Sequence, residues 1–146
     1  MQNFLPRFIG SILNVIGYLN LKIASKWALD LFSRPLKGRY KTNLPILASA
    51  EQSVLYFEQL PISTYMWPGK KGTVLLAHGW ESNSGRWKNV VHALQKSGYA
   101  VVALDAPAHG ASGSTSFNAV LYSKFIEVVC KKFKPSVLIG HSVGGM

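Results

Sequence analysis

Residues 138–146 read LIGHSVGGM. The apolar run Val137-Leu138-Ile139 leads straight into Gly140-His141-Ser142-Val143-Gly144. A short apolar run bounded by glycine reads as a strand buried on both faces. When such a strand turns sharply into a helix, the residue at the turn stands exposed beyond the carboxyl end of the sheet, where α/β folds place their sites. The turn crowds its neighbours, so glycine is expected at 140 and 144, and Gly145 is expected to allow close packing as the next helix begins. A serine at the turn projects its hydroxyl into open space, and the amide of Val143 points into the same volume. One turn thereby offers a nucleophile, Ser142, and an oxyanion donor. His141 is adjacent to Ser142, but neighbours at so sharp a turn point apart, and no direct pair is expected.

G-x-S-x-G arises by chance, so its surroundings decide. TVLLAHG (73–79) and YAVVALD (99–105) are further continuous apolar runs, read as buried strands like SVLIG (136–140). Between them, SGRWKNVVHALQKSG (84–98) carries Trp87, Val90, Val91 and Leu94 at helical spacing, with Gly98 in the stop position. FNAVLYSKFIEVVCKKF (117–133) is a second amphipathic helix, ended by Lys134-Pro135. Earlier, VLYF (54–57) and ISTYMW (62–67) read as short strands separated by Pro61, and GKKG (69–72) as a turn. Strands alternating with helices predict a parallel α/β sheet over residues 45–146.

Two more motifs close strands in a telling order. His78-Gly79-Trp80 follows the first buried strand, and Asp105-Ala106-Pro107-Ala108-His109-Gly110-Ala111-Ser112 follows the second. With the serine turn, they resemble the α/β-hydrolase superfamily over roughly residues 54–146. The resemblance implies a mostly parallel α/β-hydrolase-like sheet with flanking helices, a serine hydrolase of esters, thioesters or similar carbonyls, and no cofactor. It implies Ser142 as nucleophile, and the backbone N–H groups of Val143 and Trp80 as the oxyanion hole. His78, Gly79, Gly140, His141, Gly144, Asp105 and His109 support the turn and loops, the histidines by hydrogen bonds rather than proton transfer. Ala108 stands where the family pattern has glycine. The histidines lack a tight two-ligand spacing on one element, so no metal site is expected.

A serine nucleophile needs a base and a carboxylate to orient it. In this family they follow the serine, acid first and histidine last. Four residues follow Ser142, and neither partner is among them. The sequence is therefore expected to hold the amino-terminal half of the fold, cut just past the serine turn, and to be inactive as written. Two alternatives stay open: a non-catalytic fragment that binds a membrane or a partner, and an acyltransferase of the same fold.

Residues 1–44 have a different texture. Phe8, Ile12, Val15, Ile16, Leu19, Ile23, Trp27 and Leu31 recur at three- and four-residue steps, predicting one long amphipathic helix over 1–34, ended by RPLKG. The chain carries 16 Lys and Arg against 6 Asp and Glu, a formal net of +10, with a basic cluster from Lys22 to Lys41. No consecutive basic block or aromatic-interleaved motif marks nucleic acid, which is excluded as a partner. Three placements suit the helix: packed on the domain, lying through residues 1–41 on an anionic membrane surface, or spanning as a tilted anchor. The single cysteine, Cys130, forms no intrachain disulfide and is read as a small core residue in a reducing, cytoplasmic setting. The expected partner at the serine is a small acyl substrate; the sequence leaves oligomeric state open.

Overall fold

The computed structural model describes residues 4–37 and 44–146. It divides into two compact units, residues 1–34 and 35–146.

In the first unit the expected single helix is two: α1 (Phe4–Leu19) and α2 (Leu21–Phe32). The break is Asn20, whose backbone is extended at φ −154° and whose side chain caps α2 by accepting from the Ile23 amide. Asparagine competes for backbone hydrogen bonds and favours caps over helix interiors. Periodicity could not reveal the break, because Leu19, Ile23 and Trp27 keep four-residue steps straight across it. The helices fold back on one another where small residues meet: Ala24 is buried, and its Cβ lies 3.8 Å from where a side chain on Gly17 would begin. Among the described residues no helix is long and apolar enough to cross a membrane. Arg39 and Lys41 of the basic cluster lie outside the described residues.

The second unit is built on a five-stranded sheet in the order β1-β2-β4-β3-β5. β1 (Glu51–Phe57) and β2 (Leu60–Trp67) form an antiparallel hairpin, and Pro61 lies inside β2 rather than separating two strands. β2 pairs antiparallel with β4 (Tyr99–Leu104). β3 (Lys71–Ala77) lies parallel between β4 and β5 (Val137–Gly140). β3 and β4 read as apolar runs because both their faces are covered. On one side α4 (Lys88–Lys96) packs Val91 against Trp67, Val74, Leu76 and Val101. On the other, α5 (Ala119–Phe133) packs Tyr122, Phe125 and Val129 against Ile62, Leu75 and Val102. Cys130 sits partly buried beside that second cluster, and burial raises its thiol pKa. A one-turn helix, α3 (Pro45–Ala48), was not anticipated, although Pro45 stands at its first position, where proline is favoured.

β5 is an outer strand of the sheet. It pairs with β3 alone, and Val137 and Leu138 are 47% and 44% exposed. Its composition is that of a strand covered on both faces, yet among the described residues nothing pairs its outer edge or covers it.

Candidate active site at the β5 turn

Ser142 follows β5 on a turn sharper than an ordinary helix start, since residues 142–145 wind as a single 3₁₀ turn. Its backbone sits at φ 56°, a left-handed conformation that costs a non-glycine residue roughly 1–2 kcal/mol. The side chain is exposed. Two contacts hold the turn: the His141 amide donates to the Ala77 carbonyl at 3.0 Å, and the Gly144 amide donates to the His141 carbonyl at 3.0 Å. The crowding falls at Gly140 and Gly144. A Cβ on Gly140 would overlap the Gly144 carbonyl oxygen, and one on Gly144 would overlap that of Ala77. Gly145 is different, because a Cβ there meets nothing nearer than 3.5 Å; the expectation that it serves close packing does not hold.

The loop after β3 runs alongside this turn. A side chain on Gly79 would begin 3.0 Å from the Ser142 Cβ, so the segment 78–80 and the serine share one edge of the sheet. Among the described residues, the amides of Trp80 and Val143 have no hydrogen-bond partner. Two unengaged N–H groups beside an exposed serine hydroxyl can receive an oxyanion.

Behind that edge lies a buried polar network. His78 is fully buried; its Nδ1 is 2.8 Å from the Gly79 carbonyl oxygen and its Nε2 accepts from the Ala106 amide at 3.0 Å. That pattern fixes the neutral tautomer with the proton on Nδ1. Burial is the chief influence on its pKa, lowering it from 6.5 to about 4 against the opposing pull of Asp105. The 3.9 Å approach of His78 to Asp105 is therefore not an ion pair at neutral pH. Asp105, also fully buried, accepts from the Ser84 amide (2.8 Å), the Ser84 hydroxyl (2.7 Å), the Tyr65 hydroxyl (3.0 Å) and the Ala111 amide (3.0 Å). Burial and the neighbouring carboxylate raise the Tyr65 pKa. His109 lies 2.8 Å through Nδ1 from the Pro107 carbonyl oxygen and accepts from the Glu81 amide at 3.0 Å. Ala108 adopts φ 63°, which is why a glycine suits that position.

These bonds tie the loops after β3 and β4 together, and rings fill the gap. Trp80 packs edge-on to His109 (5.3 Å) and Phe117 (5.5 Å). Sequence reasoning passed over Phe117, Ser84 and Tyr65, whose partners lie far away in the chain. It also passed over Arg86, whose guanidinium stands 3.1 Å from His141 Nδ1. His92 is exposed on α4. Among the described residues no three His, Cys, Asp or Glu side chains converge as a metal would require.

The state of His78 fixes a pH dependence. Its folded pKa lies below its unfolded value, so between pH 6.5 and 4 the unfolded chain binds more protons. The stabilisation is complete above pH 6.5 and lost as pH falls toward 4, up to about 3 kcal/mol. Urea midpoints followed by tryptophan fluorescence at pH 7 and pH 5 are expected to fall at the lower pH, with a weaker fall in His78→Gln. Equal midpoints for the parent chain would contradict a buried neutral His78.

A five-stranded sheet with flanking helices and an exposed serine on the turn after a parallel strand defines the α/β-hydrolase class. The sequence model described as "Serine aminopeptidase, S33" matches residues 68–146, more than half of the chain, and the chain belongs to that family of α/β-hydrolases. The chain is similar to a monoacylglycerol lipase of Mycolicibacterium smegmatis, 32% identical over 84 residues, which are 51% of this chain and 30% of that protein. It is likewise similar to a pimeloyl-[acyl-carrier protein] methyl ester esterase of Wigglesworthia glossinidia brevipalpis, 32% identical over 74 residues, 50% of this chain and 27% of that one. Among solved structures, the thioesterase domain of the curacin biosynthetic pathway superposes with a TM-score of 0.61 at 30% identity, over 66% of this chain and 38% of that domain. Mouse α/β hydrolase domain-containing protein 10 shares the fold at a TM-score of 0.60 and 19% identity, over 66% of this chain and 41% of its own. The chain thus spans about a third of the curated relatives it matches.

Proposed function

We propose that this chain carries the nucleophile and oxyanion hole of a serine hydrolase acting on carboxylic esters or thioesters. The observation that carries the reading is Ser142 held exposed at φ 56°, beside the unengaged amides of Val143 and Trp80. A base takes the Ser142 proton as Oγ attacks the acyl carbon, and the two amides hold the resulting oxyanion. Its collapse breaks the bond to the alcohol or thiol, which leaves carrying that proton, and water then hydrolyses the acyl-serine to the carboxylic acid and free Ser142. The relatives named for monoacylglycerol, methyl ester and thioester chemistry support an acyl substrate of this kind.

The base is assigned to residues other than these 146. His78 and His109 are engaged in loop hydrogen bonds, His141 faces Arg86, and His92 is exposed on α4. Without a base, the 146-residue chain hydrolyses p-nitrophenyl acetate no faster than its Ser142→Ala variant. The product of its gene at native length turns the ester over, and Ser142→Ala lowers kcat by about 10⁴-fold or more. Turnover by the 146-residue chain that depends on Ser142 would overturn the assignment of the base. Turnover at native length that survives Ser142→Ala would overturn the nucleophile. Product analysis with alcohol or thiol acceptors separates hydrolysis from acyl transfer.

A further inference from the structure

We propose that the α1–α2 hairpin is an interfacial anchor that lies on an anionic phospholipid surface. The inference is independent of the chemistry at Ser142. Ile12, Val15 and Leu19 stand at four- and three-residue steps on α1, and Ile23, Trp27 and Leu31 at four-residue steps on α2. All six are exposed, from 40% at Ile12 to 84% at Leu19. Ile12 of the first stripe and Trp27 and Leu31 of the second line one groove between the helices, with Ile9, Leu13, Asp30 and Arg34. Gly17 and Ala24, which do not line this groove, meet where the helices approach one another. Leu21, Leu29 and Phe32 are exposed elsewhere on the pair as well, and apolar exposure on this scale marks an interaction surface.

Charge selects the occupant. Residues 1–34 carry four cations (Arg7, Lys22, Lys26 and Arg34) against one anion, Asp30. Lys22 and Lys26 are exposed on α2, and Lys26 follows Ile23 by three positions and precedes Trp27 by one, at the border of the apolar stripe. Arg34 lines the groove together with Asp30, so the net positive charge there comes from Lys22 and Lys26. A lysine there can lay its methylenes along lipid tails and keep its ammonium among phosphates. Trp27 places an amphipathic ring at the same level. Neither helix is long and apolar enough to span, so the hairpin lies in the interface.

The test is co-sedimentation of the 146-residue chain with vesicles of phosphatidylcholine alone and of phosphatidylcholine with about one third phosphatidylglycerol. Binding is expected on the anionic vesicles, weaker on the neutral ones and reduced by salt. Lys22→Glu/Lys26→Glu alters only exposed side chains and is expected to weaken anionic binding about tenfold or more. Trp27→Ser is expected to weaken it as well, with unchanged far-ultraviolet circular dichroism. Absence of binding to the anionic vesicles overturns the proposal, as does self-association of the chain that leaves no vesicle-bound fraction. Equal binding to both vesicle types that the charge reversal does not alter overturns the anionic preference.

Discussion

Gly144→Ala is expected to cost more than about 3 kcal/mol, and Gly145→Ala, one residue on, less than about 1 kcal/mol. The contrast comes from what a methyl group would meet. At Gly144 it overlaps the carbonyl oxygen of Ala77 and stands 2.6 Å from that of His78. Those atoms are backbone at the end of β3, fixed by parallel pairing to β4 and β5, and cannot withdraw without breaking the ladder. At Gly145 the nearest atom is 3.5 Å away, an ordinary contact. Urea midpoints of the two variants provide the measurement. Equal midpoints would mean that the turn does not press on β3 as described.

Asp105→Ala is expected to be comparably severe, with a loss of about 4 kcal/mol or failure to fold. Removing the carboxylate leaves the Ser84 amide, the Ser84 hydroxyl, the Ala111 amide and the Tyr65 hydroxyl without their acceptor. The Tyr65 and Ser84 donors are buried, so their cost is desolvation without compensation rather than the net value of a hydrogen bond. Asp105→Asn keeps the shape and part of the accepting capacity, and should recover part of the loss. If Asp105→Ala unfolds at the parent's urea concentration, Asp105 does not organise the loops after β3 and β4.

These two variants bracket what the sequence could reveal. The elbow was legible because Gly140, Ser142 and Gly144 satisfy a local constraint: sharp turns need small neighbours, and the constraint is written at the turn itself. The central strands were legible for a similar reason, since burial on both faces forces an unbroken apolar run in TVLLA and YAVVAL. The polar network behind the site was not, because Asp105 gathers donors from Tyr65, Ser84 and Ala111, and only folding brings them together. The helical period ran through Asn20 and hid the break there, because hydrophobic pattern records which faces a residue prefers rather than where an element breaks. The cap was nonetheless present, in the Asn20 side chain that accepts from the Ile23 amide.

The family places the chain among α/β-hydrolases, and the chemistry assigned to it turns on one hydroxyl. The most direct measurement is reaction of the protein, expressed from its gene at native length, with a fluorophosphonate probe, followed by mass spectrometry of the labelled peptide. A single adduct on Ser142, absent from Ser142→Ala, is the predicted result. A folded protein that hydrolyses esters yet carries its adduct on another residue, or that leaves Ser142 unlabelled, would contradict the account.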